Sequence, residues 1–330
     1  MARTGQGDDA PIIDFGAHLH PDDPEEFRGF KQFIEDADGS AIHSDMDAVA
    51  ARYEEAGVDG AVLSTSMYMG HADLDRVRSG NDVLLDVVDG HEHFYALGAI
   101  PTAAGGEAAA AEFERCLDAG FNGGALETKS GGIELHHEEV EPIFEVADRT
   151  GAPILVHPKL FDSLHPDALD DTWMLNAVFG RDVALSGSLC KVIHTGVLDR
   201  YPNLNLVYHH TGGNVASALG RMLNQFEKFP PDVWSDAPAD SIKSFEEFTH
   251  QLESRIYVDT SGYSGYTNVL RSALGAFPTS QLLLGTDFPF ETRATEDFRW
   301  FVTSVEEETS GADARRILGE NALDLLVNVS

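Results

Sequence analysis

The sequence predicts a closed (β/α)8 TIM barrel, and three observations carry that prediction. Short apolar, β-rich runs alternate with longer amphipathic stretches along nearly the whole chain, the pattern of repeated strand and helix units around a parallel sheet. Eight such runs can be counted, and 330 residues suit one barrel domain spanning 1–330. No G-x-G-x-x-G follows the first run, which weighs against the alternative of a doubly wound open sheet.

The first run, "IIDFGAHL" (12–19), leads into two histidines two apart, His18 and His20. "GAVLSTS" (60–66), "FYALGAI" (94–100) and "GGALET" (123–128) supply the next strands. The helical patterns between them, such as "DMDAVAARYEEAG" and "AAAAEFERCLDAG", close on glycine, the usual helix stop. The second half supplies "PILVHP" (153–158), "LNLVYHH" (204–210), "RIYVDTS" (255–261) and "QLLLGTD" (281–287), with "EPIFEVADRTG" and "NVASALGRMLNQFEKF" as intervening helices. Two connections are long, about 159–200 after the fifth strand and 229–254 ahead of the seventh. Long barrel loops form lids or substrate walls, so Phe161 and Trp173 are candidates to line a pocket.

Hydrophobic residues make up 42% and charged residues 24%, enough apolar content for a large core. Acidic residues number 56 against 22 basic ones, a formal net charge of -34. Such a chain repels phosphate backbones and anionic lipid, so nucleic acid and membranes drop out as partners and a small-molecule substrate is expected. Only six of the basic residues are lysine, and the acids are spread over helix faces such as "SFEEF" and "VEEET". That spread fits a halophilic protein kept soluble in high salt, with an ordinary acidic cytosolic enzyme as the alternative. Two cysteines, Cys116 and Cys190, give no disulfide framework, and neither a leader-like nor a membrane-length apolar run is present. A cytoplasmic location is expected.

The polar residues gain meaning by position. His18 and His20 end the first strand, His157 the fifth, His209 and His210 the sixth, and Asp287 the eighth. In a barrel these ends converge on one mouth. Imidazole and carboxylate suit a divalent metal that keeps an open position for water, so histidines of strands one and five plus Asp287 are the expected ligands.

The motifs resemble the amidohydrolase superfamily. Within it they resemble the amidohydrolase-related (amidohydrolase 2) branch, which includes aminocarboxymuconate-semialdehyde decarboxylase, resorcylate-type decarboxylases and some lactone hydrolases. "IIDFGAHLHP" resembles the opening I-D-x-H-x-H-x-x-P, and "GAPILVHPK" the strand-five histidine. "GVLDRYPNLNLVYHHTGG", "RIYVDTSG", "LLLGTDFPFE" and "RRILGENALDLL" follow the later strands and the closing helix. The resemblance implies one divalent metal, zinc or else manganese, held by His157 and Asp287 with histidine from strand one. It implies a homodimer. It also places the strand-six proton carrier at His210, before the "TGG" turn, so that His209 points out of the barrel and His194 is structural.

One departure stands in the opening stretch, where Gly16 falls on the family's first ligand. Regular alternation turns Gly16, His18 and His20 inward and Ile13, Phe15 and Ala17 toward the helices. The strand-one ligands are then His18 with His20, or His18 alone with His20 on substrate, or the metal is lost. Lys159, Arg293 and Glu127 are candidate substrate contacts, and Lys129 sits in a turn unsuited to a second metal. The expected activity is hydrolysis of a small carboxylate, lactone or amide. Asp287 takes a proton from a metal-activated water while His210 polarises or protonates the substrate. The alternatives are non-oxidative decarboxylation of an aromatic or enoic acid at the same site, and an inactive ligand-binding barrel.

Overall fold

The computed structural model describes residues 10–21, 42–159, 169, 172–228, 241–262 and 266–329. Phe161, within 160–168, and the stretch 229–240 of the second long connection lie outside the described residues. Eight parallel strands form one sheet in chain order: β1 (Ile13–His18), β2 (Gly60–Ser64), β3 (Phe94–Ala99), β4 (Gly123–Glu127), β5 (Ile154–His157), β6 (Leu206–Tyr208), β7 (Ile256–Asp259) and β8 (Leu282–Leu283). The sheet returns on itself through Phe15 N–H to Leu284 O (2.7 Å), Asp287 N–H to Gly16 O (2.8 Å) and His18 N–H to Phe288 O (2.7 Å). This is the barrel the sequence predicts.

Local chemistry starts and stops the surrounding helices. Asp45 caps Met46–Ala56 by accepting from Ala48 N–H, and Gly57 ends that helix at φ 77°, a left-handed value glycine adopts without strain. Ser244 and Glu247 form a capping box at the head of Phe245–Arg255.

Strand parity sorts two layers. Ala61 and Leu63 of β2, Ile154 and Val156 of β5, Leu206 and Tyr208 of β6, and Ile256 and Val258 of β7 pack in the helix-facing core. Ile13, Phe15, Val62, Leu97, Ala125, Leu155, Val207 and Leu283 form a separate interior layer, joined by Ala322, Leu325 and Leu326 from the C-terminal segment. Continuing the alternation, the residues two beyond Leu155, Val207 and Tyr257 that face inward at the mouth are His157, His209 and Asp259.

β1 departs from its expected alternation. Its partners run Asp14 with Ala61, then Ala17 with Leu63, so Phe15 and Gly16 together oppose Val62. This β-bulge resets the parity. Ile13 and Phe15 therefore lie in the interior layer rather than against the helices, whereas Ala17 and Leu19 do face the helices and His18 faces the mouth.

Candidate metal centre and active site

Three imidazoles meet at the mouth: His18 from β1, His157 from β5 and His209 just past β6. His18 packs edge-on to His157 (ring centroids 5.0 Å) and to His209 (5.6 Å), and His157 stacks on His209 at 5.2 Å. One ligand atom from each lies within 4.8 Å of the others, and the same holds for His209, His210 and Asp287.

Each ring is held through Nδ1. His157 Nδ1 lies 2.7 Å from the Pro158 carbonyl, His209 Nδ1 2.5 Å from Asp259 Oδ2, and His18 Nδ1 2.9 Å from Ser64 Oγ. A carbonyl or carboxylate only accepts, so Nδ1 donates in His157 and His209. Ser64 reaches back to the Ala17 carbonyl, which makes its oxygen the acceptor for His18. Every Nε2 is thereby left to the centre. His18 Nε2 is buried and sits 3.4 Å from Asp287 Oδ1. His209 Nε2 is 3.4 Å from that same oxygen. Imidazoles pinned at one nitrogen and converging at the other, beside a carboxylate, are a donor set that fits a divalent metal.

Charge and burial work against each other here. Burial holds His18 below its ordinary pKa and His157 well below it, keeping both neutral and able to ligate. Burial also lowers His209, but the Asp259 and Asp287 carboxylates outweigh it and hold that ring at about 10 with only protein groups around it. Burial would raise Asp287, yet the hydrogen bonds of His18, His209 and His210 leave it well below the usual carboxylate range. A divalent cation would take the place of the proton that His209 presents to Asp287.

His210 reaches the site by a different route. Its backbone turns left-handed (φ 51°), as do Thr211 (φ 52°) and Asp287 (φ 52°), conformations non-glycine residues hold only when surroundings fix them. Asp259 Oδ1 accepts the His210 N–H at 3.1 Å. The ring then tilts over His209 at 4.3 Å, with Nε2 3.7 Å from Asp287 Oδ2 and Nδ1 3.9 Å from Asp182.

Several expectations are corrected. His209 points into the barrel and is fully buried, because it continues the inward series through Val207. His20 belongs to neither ligand group among the described residues. Beyond His18 the chain pairs with the loop at His43 (His20 N–H to His43 O, 2.7 Å), which carries the His20 ring onto Ser66 Oγ at 3.0 Å. Arg293 directs two donors to the Pro289 and Phe290 carbonyls, bracing its own loop. Trp173 is 85% exposed. Glu127 is buried opposite His157 and accepts from Ser130 Oγ, Lys159 is half-buried, and Lys129 pairs with Glu134 at 3.6 Å. His194 packs between Phe226 and Phe248 and accepts from Lys243 N–H. The sequence reading missed Asp259 and Ser64, although both are the last inward residues of their strands.

These features define a metal-ready TIM barrel. A family model described as amidohydrolase matches residues 13–326, so the chain belongs to the amidohydrolase family. It is 25% identical over 254 residues to 2-amino-3-carboxymuconate-6-semialdehyde decarboxylase of Dictyostelium discoideum, covering 74% of this chain and 67% of the relative. It is 26% identical over 322 residues to gamma-resorcylate decarboxylase of Polaromonas sp., covering 89% and 92%. Among solved structures it superposes on dihydroxybenzoic acid decarboxylase from Polaromonas sp., determined with manganese and 2-nitroresorcinol. There the TM-score is 0.80 and the identity 20%, over 96% of each chain. A 5-carboxyvanillate decarboxylase from Novosphingobium aromaticivorans, also with manganese, gives a TM-score of 0.79 at 19% identity over 96% of each chain. The hydrolase expectation is thereby overturned, since these relatives are decarboxylases and hydrolysis finds no support among them. Among the described residues no helix is long and apolar enough to cross a membrane.

Proposed function

We propose that the chain is a metal-dependent, non-oxidative decarboxylase of a small aromatic or enoic carboxylic acid. The observation that carries this reading is a fourth imidazole, His210, held beside a metal-ready donor set with Nε2 3.7 Å from Asp287. The decarboxylase names of the relatives support it. A divalent cation, zinc or manganese, held by His18, His157 and Asp287 would supply positive charge that gathers the substrate carboxylate and a neighbouring oxygen. The carbon–carboxylate bond then breaks with its electron pair left on carbon, His210 gives that carbon a proton, and carbon dioxide departs. Glu127, the last residue of β4, and Lys159, two residues past β5, are the substrate contacts this reading assigns. Arg181, whose buried Nε has no hydrogen-bond partner among the described residues, lies near enough to Glu291 for its charge to act there. The free thiols of Cys116 and Cys190 and the net charge of -34 support a reducing, high-salt cytoplasm as the working environment.

The test is carbon dioxide release, followed by membrane-inlet mass spectrometry. Purified protein supplemented with manganese or zinc chloride is offered hydroxybenzoates and enoic acids. Gas evolution matched by loss of the acid supports the proposal. No gas from any acid of the panel once the metal is bound defeats it.

A further inference from the structure

Gly16 and His209 compete for one volume. A Cβ built on Gly16 would lie 3.0 Å from His209 Cε1, 3.2 Å from His209 Nδ1 and 3.0 Å from Asp259 Oδ2. Contacts that tight are met only if the neighbours yield, and neither neighbour is loose. The His209 ring is wedged among His18, His157 and His210, and Asp259 is fully buried, accepting from His209, from His210 N–H and from Ser261 N–H. The bulge that carries Gly16 aims this bare position at the centre of the barrel.

We infer that His209 supplies from β6 the metal ligand that β1 gives up at Gly16, so that the cation is held by His18, His157, His209 and Asp287 while His210 remains outside the ligand set. This rests on the metal-dependent reading proposed above. The roles of the adjacent histidines are separated by their restraints. His209 has the arrangement of a ligand: Nδ1 gives its proton to a buried carboxylate, which fixes the ring and its tautomer and directs Nε2 at the centre. His210 arrives by a left-handed turn rather than along the strand, and its Nε2 stands further from Asp287, at 3.7 Å against 3.4 Å for His209. Asp259 is a positioning residue, acting through His209. The arrangement also explains why β1 tolerates glycine: His209 occupies the place where another side chain would stand, leaving no vacancy to fill.

Metal content and thermal stability test this independently of turnover. Wild type and variants are stripped with chelator and titrated with manganese chloride or zinc chloride. Bound metal is read by plasma mass spectrometry and melting by circular dichroism. His209→Ala is expected to lose stoichiometric metal, Asp259→Asn to weaken binding by about 10–100-fold, and His210→Asn to keep it. The double variant Gly16→His with His209→Ala is expected to recover metal, because removing one imidazole frees the space the other requires. Gly16→His alone is expected to bind less than the double variant. His209→Ala retaining wild-type affinity would overturn the inference. So would loss of metal from His210→Asn with its fold intact. If His209→Ala fails to fold, the double variant decides: recovered folding and metal support the exchange, and a folded but metal-free double variant overturns it. A wild-type chain that loads metal through His209 yet releases no carbon dioxide from any acid leaves this inference standing and removes the decarboxylase reading. Gas release with metal binding indifferent to His209 does the reverse.

Discussion

The Tyr53 hydroxyl donates to Asp14 Oδ2 at 2.7 Å, with both side chains fully buried. Thr286 donates to the same carboxylate through its N–H (3.0 Å) and its hydroxyl, and Gly16 N–H reaches it at 3.2 Å. One acid thus ties the helix Met46–Ala56 to the first strand and to the segment leading into Asp287. Tyr53→Phe removes one donor without creating a large cavity. It should destabilise the protein by about 1–3 kcal/mol. Chemical denaturation monitored by circular dichroism measures this, and a loss under about 0.5 kcal/mol would show that the bond is dispensable.

Asp14 also gives a pH signature. Burial raises its pKa to about 6 from 3.8, against the opposing pull of the Thr286, Tyr53 and Gly16 donors. The folded state therefore binds the proton more tightly than the unfolded chain, and stability attributable to Asp14 falls as pH rises from about 4 to 6. The full difference is about 3 kcal/mol. Asp14→Asn removes the titration, so the wild-type minus variant stability should decline across that window and flatten above it. A difference that rises with pH would reverse the assignment.

His210→Asn removes the proposed acid and leaves the other imidazoles in place. Carbon dioxide release on any accepted substrate should fall by about 10²–10⁴-fold, the usual share of general acid catalysis. Unchanged turnover would move the proton donor elsewhere.

Metal loading should appear as stability, because a cation binds the assembled site and not the unfolded chain. At about 100 times its Kd, manganese should add about 2.7 kcal/mol over chelated protein. Identical melting curves with and without metal would contradict a resident cation.

Ionic strength supplies a further check. A net charge of -34 is strongly self-repelling in dilute buffer, where screening extends about 30 Å at 0.01 M, and far less so at 1 M, where it extends about 3 Å. The melting temperature should climb with potassium chloride over that range. A flat or falling curve would argue for an ordinary acidic enzyme.

The barrel was legible in the sequence because each strand is an apolar run bounded by turn or helix-stop residues, and the pairing rules do the rest. His18, His157 and Asp287 were legible as strand ends. His209 is readable too, by counting alternate residues from Val207, but the "TGG" turn marks His210, and local pattern alone does not show that two adjacent residues can both face the mouth. The structure brings both in, one by strand parity and the other by a left-handed turn. The bulge in β1 has no signal beyond Gly16 itself, so regular alternation puts Ile13 and Phe15 on the face opposite to the one they occupy. The excursion of His20 depends on pairing with His43, a contact made through a connection whose path local pattern does not specify.

The crowding between position 16 and the His209 ring has an evolutionary side. A lineage moving between a β1-ligated and a β6-ligated centre cannot do so one substitution at a time without passing through a protein that is either sterically overfilled or a ligand short. The two sites should therefore show reciprocal sign epistasis, and related chains should be found with glycine or a bulky residue at the first site according to where the second places its imidazole.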